Sequence, residues 1–155
     1  MITDQKLVRN SFAGKHSAIT DRVLKVFYEV YNELGSGFLE SVYHSSLLVA
    51  LVEEGLQVAS QVPVPVYFRG QIVRDFRADL VVNSEVLLEL KAMQALDRVH
   101  EAQVLNYLKA TRIEIALLLN FGPKPQFKRL LPDNDQKKIR DYPCESVVSS
   151  LGVTR

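Results

Sequence analysis

The sequence holds a single cysteine, Cys144, and no tryptophan. One thiol can close no internal disulfide and build no multi-cysteine zinc site, so a reducing compartment is expected. The three histidines, His16, His44 and His100, show no zinc-ligand spacing. Charge of one sign is missing too: 19 Lys and Arg stand against 18 Asp and Glu, a formal net charge of +1. That balance excludes proteins that hold nucleic acid by charge alone. Long apolar runs are also absent. Runs such as Ile115 to Leu119 are far too short to span a bilayer, and no N-terminal stretch joins a basic start, an apolar run and a small-residue cleavage site. A cytoplasmic location without membrane contact is the expectation. No glycine loop leads into Lys-Ser or Lys-Thr, which argues against nucleotide hydrolysis on a phosphate-cradling loop.

What is present suffices for one compact unit. The 155 residues are 47% hydrophobic and 24% charged, close to the globular average. Charge is uneven along the chain: residues 1–60 carry a net −2, residues 61–97 a net −1 and residues 98–155 a net +4. An acidic front and a basic back are more often an ordinary solvated surface, and also fit anionic metal ligands beside a cationic groove.

Hydrophobic spacing supplies the elements. Ile19, Val23, Val26, Phe27, Val30, Tyr31 and Leu34 recur at helical intervals, with Thr20 or Asp21 available as caps. Gly35-Ser36-Gly37 breaks this helix, and a second runs from Phe38 to Glu54 before Gly55. Val62 to Phe68 alternates but contains Pro63 and Pro65, which cannot donate to a ladder and so confine it to a sheet edge. Arg69-Gly70 turns the chain back into a strand from Gln71, and further strands are expected over Phe76–Val82 and Val86–Lys91. Val99–Thr111 reads as a third helix, Glu114–Phe121 as a buried strand ended by Gly122-Pro123, and Gln126–Leu131 as a short edge strand. The expectation is an α/β domain over residues 17–131, with residues 1–16 as a lead-in and the polar residues 132–155 as an extension.

The chemistry concentrates in Arg77-Ala78-Asp79-Leu80 and Leu88-Glu89-Leu90-Lys91. Period-2 alternation puts Glu89 and Lys91 on one face of their strand and Leu88 and Leu90 on the other. With a two-residue turn at Asn83-Ser84, Asp79 would face Leu88. A three-residue loop or one bulge instead sets Asp79 opposite Glu89 and Arg77 opposite Lys91 on the same face, and this register is the expected one. Two carboxylates so placed repel unless a cation lies between them, and all-oxygen ligation suits Mg²⁺ or Mn²⁺. A structural ion-pair cluster on a half-exposed sheet satisfies the same spacing. Glu40, near the start of helix two, has Tyr43 and His44 three and four residues later on its face, which is also ordinary end-of-helix electrostatics. Gln103 and Tyr107 form an i, i+4 pair, and a polar stripe of this kind also serves simply to face solvent.

Asp79 followed by Glu89-Leu90-Lys91 resembles the D…(D/E)xK signature of the PD-(D/E)XK nuclease superfamily. Gly37-Phe38-Leu39-Glu40-Ser41-Val42-Tyr43 is similar to the pattern that names the GxxExxY proteins, a branch of it. Gln103-Val104-Leu105-Asn106-Tyr107 resembles the QxxxY helix motif of RecB-like nucleases, and Asn120-Phe121-Gly122 the closing strand. One departure is Ala78, where the superfamily name has proline. The resemblance implies a restriction-endonuclease-like αβββαβ core with a mixed central sheet flanked by helices, and hydrolysis of phosphodiester bonds in nucleic acid, DNA ahead of RNA. It implies that Asp79, Glu89 and the Leu90 carbonyl hold Mg²⁺ or Mn²⁺ with Glu40 as a further ligand, and that Lys91 orients or activates the attacking water. Tyr43, Gln103 and Tyr107 support the site, and Arg77 contacts phosphate or pairs with Glu89. A non-catalytic nucleic-acid or protein-binding module keeping this fold is the alternative, and a homodimer through the exposed sheet a further expectation.

Overall fold

The computed structural model describes residues 16–132, so the lead-in before His16, the extension beyond Pro132 and Cys144 lie outside the described residues. Helix α1 (Ser17–Leu34) buries Val23, Val26, Phe27 and Val30, a stripe at three- and four-residue intervals. Its start differs from expectation: His16 is the N-cap without a side-chain cap bond, and Thr20 lies a turn inside, its hydroxyl donating to the His16 carbonyl at 3.1 Å. The reason is that the helix begins before the first apolar residue of the stripe. Gly35, at φ 70°, ends α1, and its N–H bonds to the Tyr31 carbonyl at 2.7 Å. Helix α2 (Glu40–Glu53) starts two residues later than the pattern suggested and buries Tyr43, Leu47 and Leu51.

Five strands form one sheet in the order β1-β2-β3-β4-β5. The proline-bearing β1 (Val58–Phe68) is an edge strand, as its missing donors require. Strand β2 (Gln71–Val82) is continuous, so the strand expected from Gln71 and that over Phe76–Val82 are one element. Strand β3 (Val86–Lys91) runs antiparallel to β2 and parallel to β4 (Ile115–Phe121), reached through helix α3 (Arg98–Lys109). Strand β5 (Pro125–Leu130) closes the other edge antiparallel to β4. The fold is α/β with a mixed five-stranded sheet between helices.

Helices α1 and α2 pack on one face, where Phe27, Leu47 and Leu51 meet Leu80, Leu88, Leu117 and Leu119. Helix α3 covers the other face, where Val104, Tyr107 and Leu108 meet Val81, Leu87, Ala116 and Leu118. Strand β4 is therefore buried on both faces, which is why it reads as an unbroken apolar run. Each leucine so buried contributes about 1.5–3 kcal/mol of transfer free energy.

The β2–β3 connection fixes what faces what. Leu80 pairs with Leu88, Val81 with Leu87 and Val82 with Val86, leaving the three-residue loop Asn83-Ser84-Glu85. Asn83 and Ser84 take the left-handed region at φ 50° and 57°, and the Asn83 side chain accepts the Gln57 N–H at 2.8 Å. The odd register is thus the one adopted. The ladder stops at Leu80, however. Arg77 does not reach Lys91: its cross-strand partner is Pro63 on β1, and its guanidinium donates to the Gln61 carbonyl at 3.3 Å. The alternation also breaks here, since Ala78 and Val81, three residues apart, both pack on the α3 side. Gln61, across from this break on β1, is held at φ 53°.

Candidate functional site

Asp79 lies where β2 leaves β3, and Glu89 is the residue that the same register would pair with it. In place of ladder bonds, side chains close the gap. The Glu89 Oε1 accepts the Asp79 backbone N–H at 3.1 Å, and the Asp79 Oδ2 accepts the Leu90 N–H at 2.8 Å. Each carboxylate therefore satisfies a main-chain donor on or beside the other, and each keeps a second oxygen outside this clasp.

Glu89 is only 5% exposed. Burial, and then the Asp79 charge, push its carboxyl up to about 8 against the pull of the Asp79 N–H and of Lys91. Glu40, at the first position of α2, is also raised, chiefly by partial burial, with Lys91 opposing and Asp79 reinforcing the shift. Asp79 and Lys91 thus each act on both Glu40 and Glu89. On the α3 side, burial and then Glu89 raise the Tyr107 hydroxyl, which accepts a bond from Gln103 Nε2 at 3.0 Å. The Tyr107 hydroxyl, bonded by Gln103, thus feels both carboxylates from the α3 side of the sheet.

Two expected residues sit elsewhere. Tyr43 is fully buried: its hydroxyl donates to the Gly35 carbonyl at 2.6 Å and accepts the Phe38 N–H at 3.2 Å, so it shapes the loop that leads into Glu40. Arg77 is directed to β1, as described above. Two other side chains join the neighbourhood. His44 Nε2 lies 3.1 Å from the Asp79 carbonyl, and its place one turn after Glu40 was the available signal. Asn120, fully buried, accepts the Met93 N–H and donates to the Met93 carbonyl, both at 3.0 Å, pinning the chain just beyond Lys91. His100 accepts the Asp97 N–H at 3.1 Å at the start of α3.

A comparison with protein families decides the relationship: the model for the PD-(D/E)XK nuclease superfamily matches residues 17–130. The chain belongs to the PD-(D/E)XK nuclease superfamily. The match spans both helices before the sheet, all five strands and α3, and it contains every residue of the carboxylate site. Among curated proteins, none matches the sequence. Among solved structures, that of SSO0001 is similar with a TM-score of 0.50 at 15% identity, over 74% of this chain and 56% of the other. The chain thus spans little more than half the length of SSO0001. An alkaline exonuclease from Laribacter hongkongensis gives a TM-score of 0.43 at 10% identity, over 91% of this chain and 81% of the other.

PD-(D/E)XK nucleases generally use divalent metal ions. The donors here suit such a cation: two carboxylates forced together with one buried enough to hold a proton are what a hard cation with oxygen ligands relieves. Among the described residues no three His, Cys, Asp or Glu side chains form a ready-made cage. The carboxylates brought together are those of Asp79 and Glu89, and the Asp79 charge also reaches Glu40. Among the described residues, no helix is long and apolar enough to cross a membrane.

Proposed function

We propose that the protein is a divalent-metal-dependent nuclease of the GxxExxY branch that hydrolyses phosphodiester bonds of nucleic acid, DNA ahead of RNA. The observation that carries this reading is the reciprocal clasp of Asp79 and Glu89, with the Glu89 carboxyl raised to about 8 by burial and by its neighbour.

In this reading Asp79, Glu89 and the Leu90 carbonyl hold Mg²⁺, with Mn²⁺ a substitute and Glu40 supplementing the donors. The bound cation supplies Lewis acidity to a phosphoryl oxygen and lowers the pKa of water. Lys91, one residue past the Leu90 whose N–H anchors Asp79, orients the attacking water and offsets charge developing on the phosphate. Gln103 holds the Tyr107 hydroxyl toward the carboxylates, where it meets substrate or phosphate. His44 steadies the Asp79 main chain from the α2 side. The site lies where β2 parts from β3, beyond the last paired residues Leu80 and Leu88.

The test is cleavage of single- and double-stranded DNA and RNA by pure protein in Mg²⁺ or Mn²⁺, beside Glu89→Gln and Lys91→Ala. Cleavage abolished by EDTA and by both substitutions supports the reading, and cleavage that survives both overturns it. The near-neutral charge of +1 favours one second reading, a binding module without catalysis, because few groups neutralise phosphates. Binding indifferent to divalent cations with no cleavage of any substrate selects that module.

A further inference from the structure

Beyond the C-terminal ends of the parallel strands β3 and β4 lies a cavity of about 450 Å³ that includes none of the carboxylates. Its walls are the Ser36-Gly37-Phe38 loop, Ala92 and Met93 after β3, and Phe121 and Gly122 at the end of β4. Two of these walls adjoin the charged site along the chain: Phe38 precedes Glu40 by two residues, and Ala92 directly follows Lys91. Glu40 and Lys91 interact electrostatically, so the two walls come together at the site's rim.

Phe38 is 49% exposed, yet it is not a loose surface ring. It packs edge-on against Tyr43 with centroids 6.1 Å apart. Tyr43 stacks on Phe121 at 4.5 Å, and Phe121 meets Phe27 edge-on at 4.8 Å. Four aromatic rings thus run from the core to the cavity mouth, and only the last is open. The walls are fixed as well. Tyr43 holds Gly35 and Phe38, Asn120 clamps Met93, and the Tyr31 hydroxyl lies within 2.9 Å of the Gly122 carbonyl and 2.8 Å of that of Pro123. Lys124, the residue after Pro123 of the lining, is exposed. A rigid, half-open ring beside a phosphate-cleaving site matches the chemistry of a base: a flat apolar face that stacks, joined to an anionic backbone.

We propose that this cavity is a stacking subsite in which Phe38 receives one unpaired nucleobase of the strand being cleaved. The proposal rests on the nuclease reading above and adds a substrate class to it, namely strands with an unpaired or freely splayed nucleotide next to the scissile bond. Paired duplex, whose bases are already stacked, does not fill the cavity without the cost of unstacking.

The experiment reads binding apart from cleavage. A short single-stranded oligonucleotide carrying a fluorescent purine analogue is titrated with the protein in EDTA and again in Ca²⁺, and stacking is read as quenching. Wild type is expected to quench, and the same analogue held in duplex is not. Phe38→Ala and Phe38→Leu are expected to lose the quench and bind about tenfold more weakly, whereas Phe38→Trp retains both. Phe68→Ala, which removes an exposed ring at the far end of β1, is expected to behave as wild type. Melting curves of each variant report whether it folds. In Mg²⁺ Phe38→Ala and Phe38→Leu are expected to raise KM for single strands by the same factor with kcat nearly unchanged. Equal quenching by Phe38→Leu and wild type, or no quenching by wild type, overturns the subsite. Cleavage that persists in that event leaves the nuclease reading standing, and quenching without any cleavage overturns that reading while the subsite survives.

Discussion

The backbone N–H of Asp79 is bonded by the Glu89 carboxylate at 3.1 Å, while the Asp79 carboxylate bonds the N–H of Leu90, the residue after Glu89, at 2.8 Å. This crossed arrangement holds together two strands whose ladder has just ended, and it does so with the two side chains that most repel each other. Glu89 prefers its proton in spite of one of these bonds. The main-chain bond from Asp79 favours the charged form, but burial and the Asp79 charge outweigh it.

A pH dependence follows. The Glu89 carboxyl titrates near 8 in the fold, against 4.5 for the unperturbed group. Between these values the folded state binds more protons than the unfolded one, so metal-free stability is expected to fall as pH rises from about 5 to 8. A divalent cation replaces the proton, so its affinity is expected to rise over that window and its binding to release protons. Melting temperatures in EDTA and in Mg²⁺ across this range check both signs. Glu89→Gln is expected to flatten the metal-free profile and to abolish stabilisation by Mg²⁺, which for wild type reaches about 2.7 kcal/mol at one hundred times the dissociation constant.

Activity separates the roles around the clasp. Lys91→Ala is expected to lower kcat by about 10²–10⁴-fold, the range for a positioned proton-transfer or charge-stabilising group, while Mg²⁺ still raises the melting temperature. Asp79→Asn is expected to lose both the activity and that stabilisation. Glu40→Ala is expected to cost about 10–100-fold through metal affinity, and Gln103→Ala, which frees the Tyr107 hydroxyl, a similar factor that high Mg²⁺ does not restore. Steady-state rates against Mg²⁺ concentration distinguish the three patterns. A Lys91→Ala enzyme whose defect vanishes at high Mg²⁺ contradicts its place in the chemical step.

Much of this site is legible in the sequence because hairpin arithmetic is discrete. Once the turn has three residues, Asp79 and Glu89 fall opposite each other, and a prolyl strand has nowhere to go but an edge. Arg77 was illegible for a physical reason. Extrapolating the period of two past Asp79 assumes an unbroken strand, whereas β2 leaves its neighbour there, and Ala78 and Val81 share a face. Tyr43 illustrates a second limit. Helical spacing sets it on the same side of α2 as Glu40, but spacing says nothing of a hydroxyl already engaged by Gly35 and Phe38. The clamp between Asn120 and Met93 joins residues 27 apart, and no local pattern announces it.

Tyr43→Phe tests the loop that carries Phe38 and Glu40. The substitution leaves the stack on Phe121 and removes the partner of the Gly35 carbonyl and the Phe38 N–H. Lost bonds to part-buried groups cost about 1–3 kcal/mol, which for a chain of this size lowers the melting temperature by roughly 2–4 °C per kcal/mol. Weaker oligonucleotide binding is expected, measured by titration, with Mg²⁺ affinity falling no further than in Glu40→Ala, because the loop borders the cavity and carries Glu40 while Asp79 and Glu89 sit on strands.

Gly122 is required by close approach, not by its backbone angles. A Cβ there would collide with the Met93 carbonyl oxygen and crowd the Asn120 amide at 3.0 Å, the two groups that pin the chain after Lys91. Backbone cannot swing aside as the end of a long side chain does, so Gly122→Ala is expected to cost at least about 1–3 kcal/mol. The strain is relieved most directly by displacing Met93, which breaks the Asn120 clamp and loosens Lys91. The variant is therefore expected to melt several degrees lower and to lose kcat out of proportion to its Mg²⁺ affinity. Asn120→Ala, which removes the clamp without the collision, is expected to reproduce the kinetic defect. If Asn120→Ala turns over at the wild-type rate, the clamp does not position Lys91.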